Sequence, residues 1–233
     1  MKLQNKMLAV SGLFAFLILI AAGGFSAQNS GQDIVIQSKS TLKVVIQPGP
    51  HFNSTVLLFI KRPATLACWL ENEKGEYVDT LFVTHNAKTS EWFSANDGRP
   101  GALPVWTAQS ASKKADAVSG ATLKEGESFD AKDNSELPAG TYIVKFEVNI
   151  SYDYNETFKE NLKKDDPLFN NPNGQPSLVY EGRIQIGGNS NTAQLKLIGA
   201  GAPNGQDGSI HNLNGITTAV KIVDSVEVIY QGK

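Results

Sequence analysis

The 233-residue sequence has few of the residues from which self-contained active sites are built. Its one cysteine, Cys68, excludes an internal disulfide, and its three histidines, His51, His85 and His211, are too far apart in sequence for metal-ligand spacing. No Gly-x-Ser-x-Gly nucleophile motif, phosphate-binding loop or dinucleotide fingerprint occurs. The sequence therefore predicts no metal site and identifies no catalytic residue.

A strong charge of either sign is also missing. The chain has 21 basic and 23 acidic side chains, a formal net charge of −2, and no basic stripe of the kind that binds nucleic acid. Cys68 lies in the apolar run from Ala64 to Leu70. A cysteine in such a run is expected to be a small buried hydrophobe rather than a reactive thiol.

The longest apolar run is at the N-terminus. Lys2 and Lys6 precede an apolar stretch from Met7 to Ala22, and small residues follow as far as Ala27. This order is typical of a secretory signal peptide, and the run is shorter than the usual membrane-spanning helix. We expect residues 1–27 to be a signal peptide that directs export, with an uncleaved anchor as the alternative.

The remainder, residues 28–233, reads as short strands rich in β-branched and aromatic residues. We predict one all-β domain, an antiparallel β-sandwich with little helix and a long decorated loop. The strands that carry this prediction form the hairpins Asp33–Gln37 with Leu42–Gln47 and Ala64–Glu71 with Tyr77–Thr84, followed by Thr141–Ile150, Ser177–Ile186, Thr192–Leu197 and Val226–Tyr230.

The strand from Thr141 to Ile150 alternates between apolar and polar residues. Because successive side chains point to opposite faces, we expect Val144 and Phe146 to be buried and Lys145 and Glu147 to be exposed.

Three other stretches are less regular. Leu103–Ser112 suggests one or two helical turns, and Asn155–Lys164 suggests a short helix. Residues 216–223 fit either a short helix or a strand. Before Leu103, no strand-length pattern appears from His85 onward, so this segment is the predicted long loop.

A polar, turn-prone segment contains Asp116-Ala117-Val118-Ser119-Gly120-Ala121-Thr122. A threonine hydroxyl follows small residues here, so a bulky partner could approach the backbone. Gly120 also permits a tight, projecting turn. Lys113, Lys114 and Lys124 would favour a nearby anion such as a phosphate. An ordinary turn in which Ser119 or Thr122 caps backbone amides is the alternative.

The segment resembles the acceptor motif recognised by bacterial FMN transferases, Asp-x-x-Ser/Thr-Gly-Ala-Thr. In their targets, such as the C subunit of the sodium-translocating NADH:quinone oxidoreductase, the last threonine is esterified to the phosphate of FMN. The resemblance implies that Thr122 is the attachment point and that Ser119, Gly120 and Ala121 shape the loop. It further implies that Asp116 is read by the transferase or braces the turn.

Two wider resemblances accompany the motif. Between about Ala64 and Phe146 the chain is similar to an uncharacterised family of predicted periplasmic proteins associated with the FMN transferase. The landmarks of this resemblance are Trp69-Leu-Glu-Asn, Lys74 to Thr84, Arg99-Pro, Leu103-Pro-Val-Trp106 and the motif, whereas Asn86 to Trp92 departs from the family pattern. The run from Leu137 to Tyr142 resembles a hairpin of immunoglobulin-like modules, which concerns fold alone.

These resemblances imply an exported, periplasmic or otherwise extracytoplasmic protein that carries covalent FMN on Thr122. It would pass electrons between redox partners, with membrane-bound proteins among the candidates, and would be a carrier rather than a free-standing enzyme. The FMN transferase would be a further partner. Trp106 could then stack on the flavin ring, although packing onto the sheet is the preferred interpretation. The alternative function is a non-redox exported module that binds protein or glycan.

Overall fold

The computed structural model describes residues 32–38, 42–56, 60–92, 98–111, 119–120, 128–131 and 137–232. In these ranges the chain forms strands, two short α-helices and one 3₁₀ turn. The helices are α1 (His85–Thr89) and α2 (Pro104–Ser110), and the 3₁₀ turn spans Ala219–Lys221. The strands are β1 (Ile34–Ser38), β2 (Leu42–Pro48), β3 (Asn53–Val56), β4 (Ile60–Pro63), β5 (Thr65–Glu71), β6 (Tyr77–Thr84), β7 (Ser119–Gly120), β8 (Ser128–Ala131), β9 (Gly140–Asn149), β10 (Leu178–Ile186), β11 (Asn191–Gln194), β12 (Lys196–Ala200) and β13 (Val223–Tyr230).

Two sheets make up the sandwich. The first has the strand order β11-β13-β2-β1-β8, and the second has the order β12-β10-β9-β5-β6-β7. Most neighbours are antiparallel, but β8 pairs parallel to β1 and β7 pairs parallel to β6, each at a sheet edge. A separate hairpin joins β3 to β4.

The main core lies between the two sheets. Alternate residues of β1 and β2, among them Ile34, Ile36 and Val44, face the second sheet, where Phe146 is fully buried and contacts Tyr180 edge-on at 5.9 Å between ring centroids. Alternation with period two places these side chains on the inner faces. The predicted all-β sandwich is confirmed, as are the β1–β2 and β5–β6 hairpins.

Several details differ from the sequence-based expectations. The segment from Asn155 to Lys164 forms turns instead of a helix. The Asn155 side chain accepts hydrogen bonds from the amides of Thr157 and Phe158 in a local turn, and its own amide ties that turn to the distant Gly215 carbonyl. The expected strand Thr192–Leu197 is divided into β11 and β12 at Leu195, which is buried in the core.

The outer face of the second sheet is covered around Glu147 and Lys145, and this corrects the expected exposure of these two residues. Glu147 is fully buried beneath α2, and only 12% of the Lys145 side chain is exposed. The Lys145 amine lies 3.1 Å from the Glu181 carboxylate and 3.8 Å from that of Glu71. A second, smaller cluster fills this face with Ala67, Trp69, Tyr77, Val83, Leu103, Val105, Trp106 and Val179.

Candidate functional site

Two of the five predicted cofactor-binding residues fall within the described ranges. Ser119 and Gly120 form β7, which lies parallel to β6 with Ser119 beside Val83 and Gly120 beside Thr84. Asp116, Ala121 and Thr122 lie outside the described residues. The described part of the motif therefore borders the outermost long strand of the second sheet.

Helix α1 continues directly from β6 and lies against β7. An open groove of about 620 Å³ is lined by α1, by α2 and by the chain segment that precedes α2. We call this the α1–α2 groove; its wall includes Ala87, Lys88, Trp92, Arg99, Leu103 and Trp106. Its volume and its mixture of aromatic, apolar and a few charged side chains are typical of small-molecule sites.

Helix α2 is held in place by a buried carboxylate from the sheet. Pro104 occupies the first turn, where a missing N–H costs nothing. The next two amides, of Val105 and Trp106, donate to the Glu147 carboxylate at 3.3 and 2.8 Å. The Ser177 hydroxyl donates to the same carboxylate at 2.6 Å. Burial raises the pKa of Glu147 to about 7, and these three hydrogen bonds oppose the rise.

Trp106 belongs to the cluster on the outer face of the sheet. The residue is 6% exposed, and its indole N–H donates to the Thr80 hydroxyl at 2.9 Å. That hydroxyl is also 2.7 Å from the Tyr77 hydroxyl. The packing interpretation of Trp106 is confirmed, and the remaining exposed part of the residue contributes to the groove wall.

Trp92 and Arg99 form the second aromatic part of the groove. The Arg99 guanidinium carbon lies 4.8 Å from the centroid of the Trp92 ring, a cation–π arrangement. Arg99 is itself 8% exposed, and one of its terminal nitrogens donates to the Ser151 hydroxyl at 2.5 Å. The neighbouring Gly101 lies close to the backbone of Pro203. A Cβ at this position would be 2.0 Å from the Pro203 carbonyl oxygen, so only glycine fits.

A second cavity, of about 280 Å³, lies on the other side of Trp92 and Arg99. We call it the basic pocket. Arg99 and Trp92 line both cavities, and the basic pocket adds Lys61, Arg62, Thr65, Thr84 and Ser151. Because Thr84 pairs with Gly120, the basic pocket lies beside the described part of the motif.

Cys68 is fully buried in the main core, and burial raises the pKa of its thiol to about 12. The expectation of a small buried hydrophobe is confirmed. In the ranges that the structure describes, no three histidine, cysteine or acidic side chains come together as metal ligands. The described part of the chain also contains no helix that is both long and apolar enough to cross a membrane.

Glu147 and Arg99 were not identified as site residues from the sequence. Strand alternation assigned Glu147 to a solvent face, and Arg99 was noted only as a landmark. A usable signal was present in β5 and β6, where the runs Ala67–Leu70 and Leu81–Val83 are apolar at consecutive positions. Such runs indicate that both faces of a strand are buried.

Residues 61–170 match the model of a family described as "Predicted periplasmic protein (DUF2271)". The matched stretch includes both cavities and the motif. The similarity to a family of predicted periplasmic proteins is thereby confirmed, and it supports an extracytoplasmic location. The association with an FMN transferase stays a prediction. No curated protein and no solved structure matches the chain.

Proposed function

We propose that this protein is an extracytoplasmic electron carrier with FMN bonded covalently to Thr122. The observation that carries the proposal is the position of Ser119 and Gly120, which border β6 and α1 next to the α1–α2 groove. A flavin attached two residues beyond Gly120 would be tethered within reach of an aromatic-lined cavity.

The residues of the groove fit a tethered flavin. Trp92, which is partly exposed, offers flat surface to a ring system, while Lys88 and Thr107 add polar groups at the wall. The groove volume of about 620 Å³ is within the range that small cofactors occupy. Its openness to solvent suits a carrier, because the ring must approach a partner protein.

The roles of the chain are attachment and positioning. The Thr122 hydroxyl oxygen would attack the FMN phosphate of a flavin dinucleotide: the new O–P bond forms as the pyrophosphate bond breaks, the nucleoside monophosphate leaves, and the hydroxyl proton passes to solvent. The protein gains the mass of one FMN less one water. The bound flavin would supply the redox chemistry, and the protein would supply orientation and electrostatics. The redox partners are proteins that can reach the groove, membrane-bound ones included.

The export signal predicted at residues 1–27 is consistent with this proposal, since an FMN transferase acts outside the cytoplasm. The family description of residues 61–170 as periplasmic supports the same compartment.

The test is co-expression of the full chain with an FMN transferase. We expect wild type to gain the mass of one FMN minus water and to show flavin fluorescence in a denaturing gel. Thr122→Val keeps the shape of the side chain but removes the hydroxyl, so it should show neither signal. Thr122→Ser should label more weakly, because the methyl group that restricts the rotamer is lost.

The matched control is Thr192→Val, which makes the same exchange at an exposed position on β11. It should label like wild type. If wild type stays colourless beside a known target that labels well, the carrier proposal fails and the non-redox binding module takes its place.

A further inference from the structure

The basic pocket contains a buried cation that lacks an acidic partner in the described chain. Arg99 is 8% exposed, and its hydrogen bonds and electrostatic interactions there involve the uncharged side chains of Ser151, Tyr152, Tyr154 and Trp92, besides a repulsive one with Arg62. Its Nε–H is buried and has no acceptor among the described residues. An unpaired buried donor and an uncompensated charge both disfavour the fold.

Other cations line the same pocket as Arg99. Burial is the main cause that lowers the pKa of Arg99, and the like charge of Arg62 acts in the same direction. Lys61, which is exposed, also lines the pocket. The positive side chains of Arg99 and Lys61 at one cavity of about 280 Å³ create a local potential that attracts an anion.

We propose that the basic pocket binds an oxyanion of the phosphate type, with Arg99 as its central cation. Arginine matches the geometry of phosphate oxygens, and the pocket adds the hydroxyls of Thr65 and Ser151 as neutral donors. The Arg99 guanidinium, the Lys61 ammonium and these hydroxyls together offer more donors than the two oxygens of a carboxylate need, which favours the additional oxygens of a phosphate group.

Two sources could supply this group. One is the phosphate that links FMN to Thr122, because Thr84 of the pocket pairs with Gly120 of the motif. The other is a separate phosphate ester that binds beside the flavin. The oxyanion site itself does not depend on the flavin proposal.

The test is isothermal titration of the full-chain protein, purified without FMN transferase, with inorganic phosphate at constant ionic strength in sodium chloride. We expect saturable binding that Arg99→Gln weakens about tenfold or more, since a charge-assisted hydrogen bond is lost. Lys61→Gln should weaken binding about twofold to fivefold, as expected for an exposed charge. The Lys61→Gln variant also tests the proposal if Arg99→Gln does not fold.

Arg183→Gln is the matched control, because Arg183 is exposed on β10 and lines neither cavity. It should bind phosphate like wild type. Absence of saturable binding to wild type would overturn the proposal. Equal weakening of phosphate binding by Arg183→Gln and Lys61→Gln would also overturn the proposal. Such a result would mean that binding depends on the net charge of the protein and not on the pocket.

A second arm repeats the titration on flavinylated protein. Loss of phosphate binding there would assign the pocket to the phosphate of FMN, and retained binding would assign it to a separate phosphate ester. Both results support the site. If no flavinylation occurs, the first arm still decides the oxyanion proposal alone.

Discussion

The Glu147 carboxylate on β9 accepts a 2.8 Å hydrogen bond from the backbone N–H of Trp106, 41 residues earlier in the chain. This contact joins the sheet to the first turn of α2, and so to one wall of the α1–α2 groove. Glu147 is fully buried, so its charge state is linked to the stability of this arrangement.

The first prediction concerns pH. The folded-state pKa of Glu147, about 7, is above its ordinary value of 4.5. Between these values the folded state binds more protons than the unfolded state, so this group makes the free energy of unfolding fall as pH rises. Between low pH and neutral pH, the contribution of Glu147 to the free energy of unfolding should fall by about 3 kcal/mol.

Urea denaturation of wild type and Glu147→Gln between pH 4 and 8 measures this effect. Glu147→Gln should lower the free energy of unfolding by an amount that does not vary with pH, because its amide cannot accept every hydrogen bond that the carboxylate accepts. The difference between the two proteins should change with pH in the window from about 4.5 to about 7. Parallel stability curves would contradict the assignment.

The second prediction concerns the inner face of the sandwich. Phe146 is fully buried and packs against Tyr180. Phe146→Ala should lower the free energy of unfolding by roughly 3–5 kcal/mol. Leu168→Ala, at a side chain that is 37% exposed, should change it by less than about 0.5 kcal/mol. An unchanged melting temperature for Phe146→Ala would show that the core is packed differently.

The third prediction concerns Cys68. Because the thiol is fully buried and its pKa is raised to about 12, a disulfide reagent should not label it in native buffer but should label it in denaturant. Ser190→Cys in a Cys68→Ala background places a thiol at an exposed turn and should be labelled at once. Rapid native labelling of Cys68 would mean that the core opens readily.

The fourth prediction concerns export. Deletion of residues 1–27 should leave a folded, soluble domain that stays in the cytoplasm, whereas the full chain should be exported and shortened. Cell fractionation with mass measurement of the product tests this. An insoluble truncated chain beside an anchored, folded full chain would favour the uncleaved anchor.

Much of the architecture was predictable from local patterns. The apolar and β-branched runs at Leu42–Gln47 and Ala64–Glu71 specify strands, and turn residues join them into hairpins, because both signals act between neighbours in the chain. The inward position of Phe146 follows from the alternation of apolar and polar residues along β9. The motif from Asp116 to Thr122 was likewise read from the sequence.

The covering of the outer face was not predictable in this way. Alternation assigns Glu147 to a face but does not say whether that face meets water. The answer depends on where Trp106 and α2 pack, and this contact spans some 41 residues. The same reason applies to Arg99, whose partner Ser151 is 52 residues distant.

The sequence by itself therefore determined the strand pattern, the hairpins and the residues offered for flavin attachment. The tertiary structure alone decided that Glu147 is buried under α2 and that Arg99 lies between two cavities. Burial and charge neutralisation are properties of the assembled layers, because they depend on which distant side chains exclude water from a group.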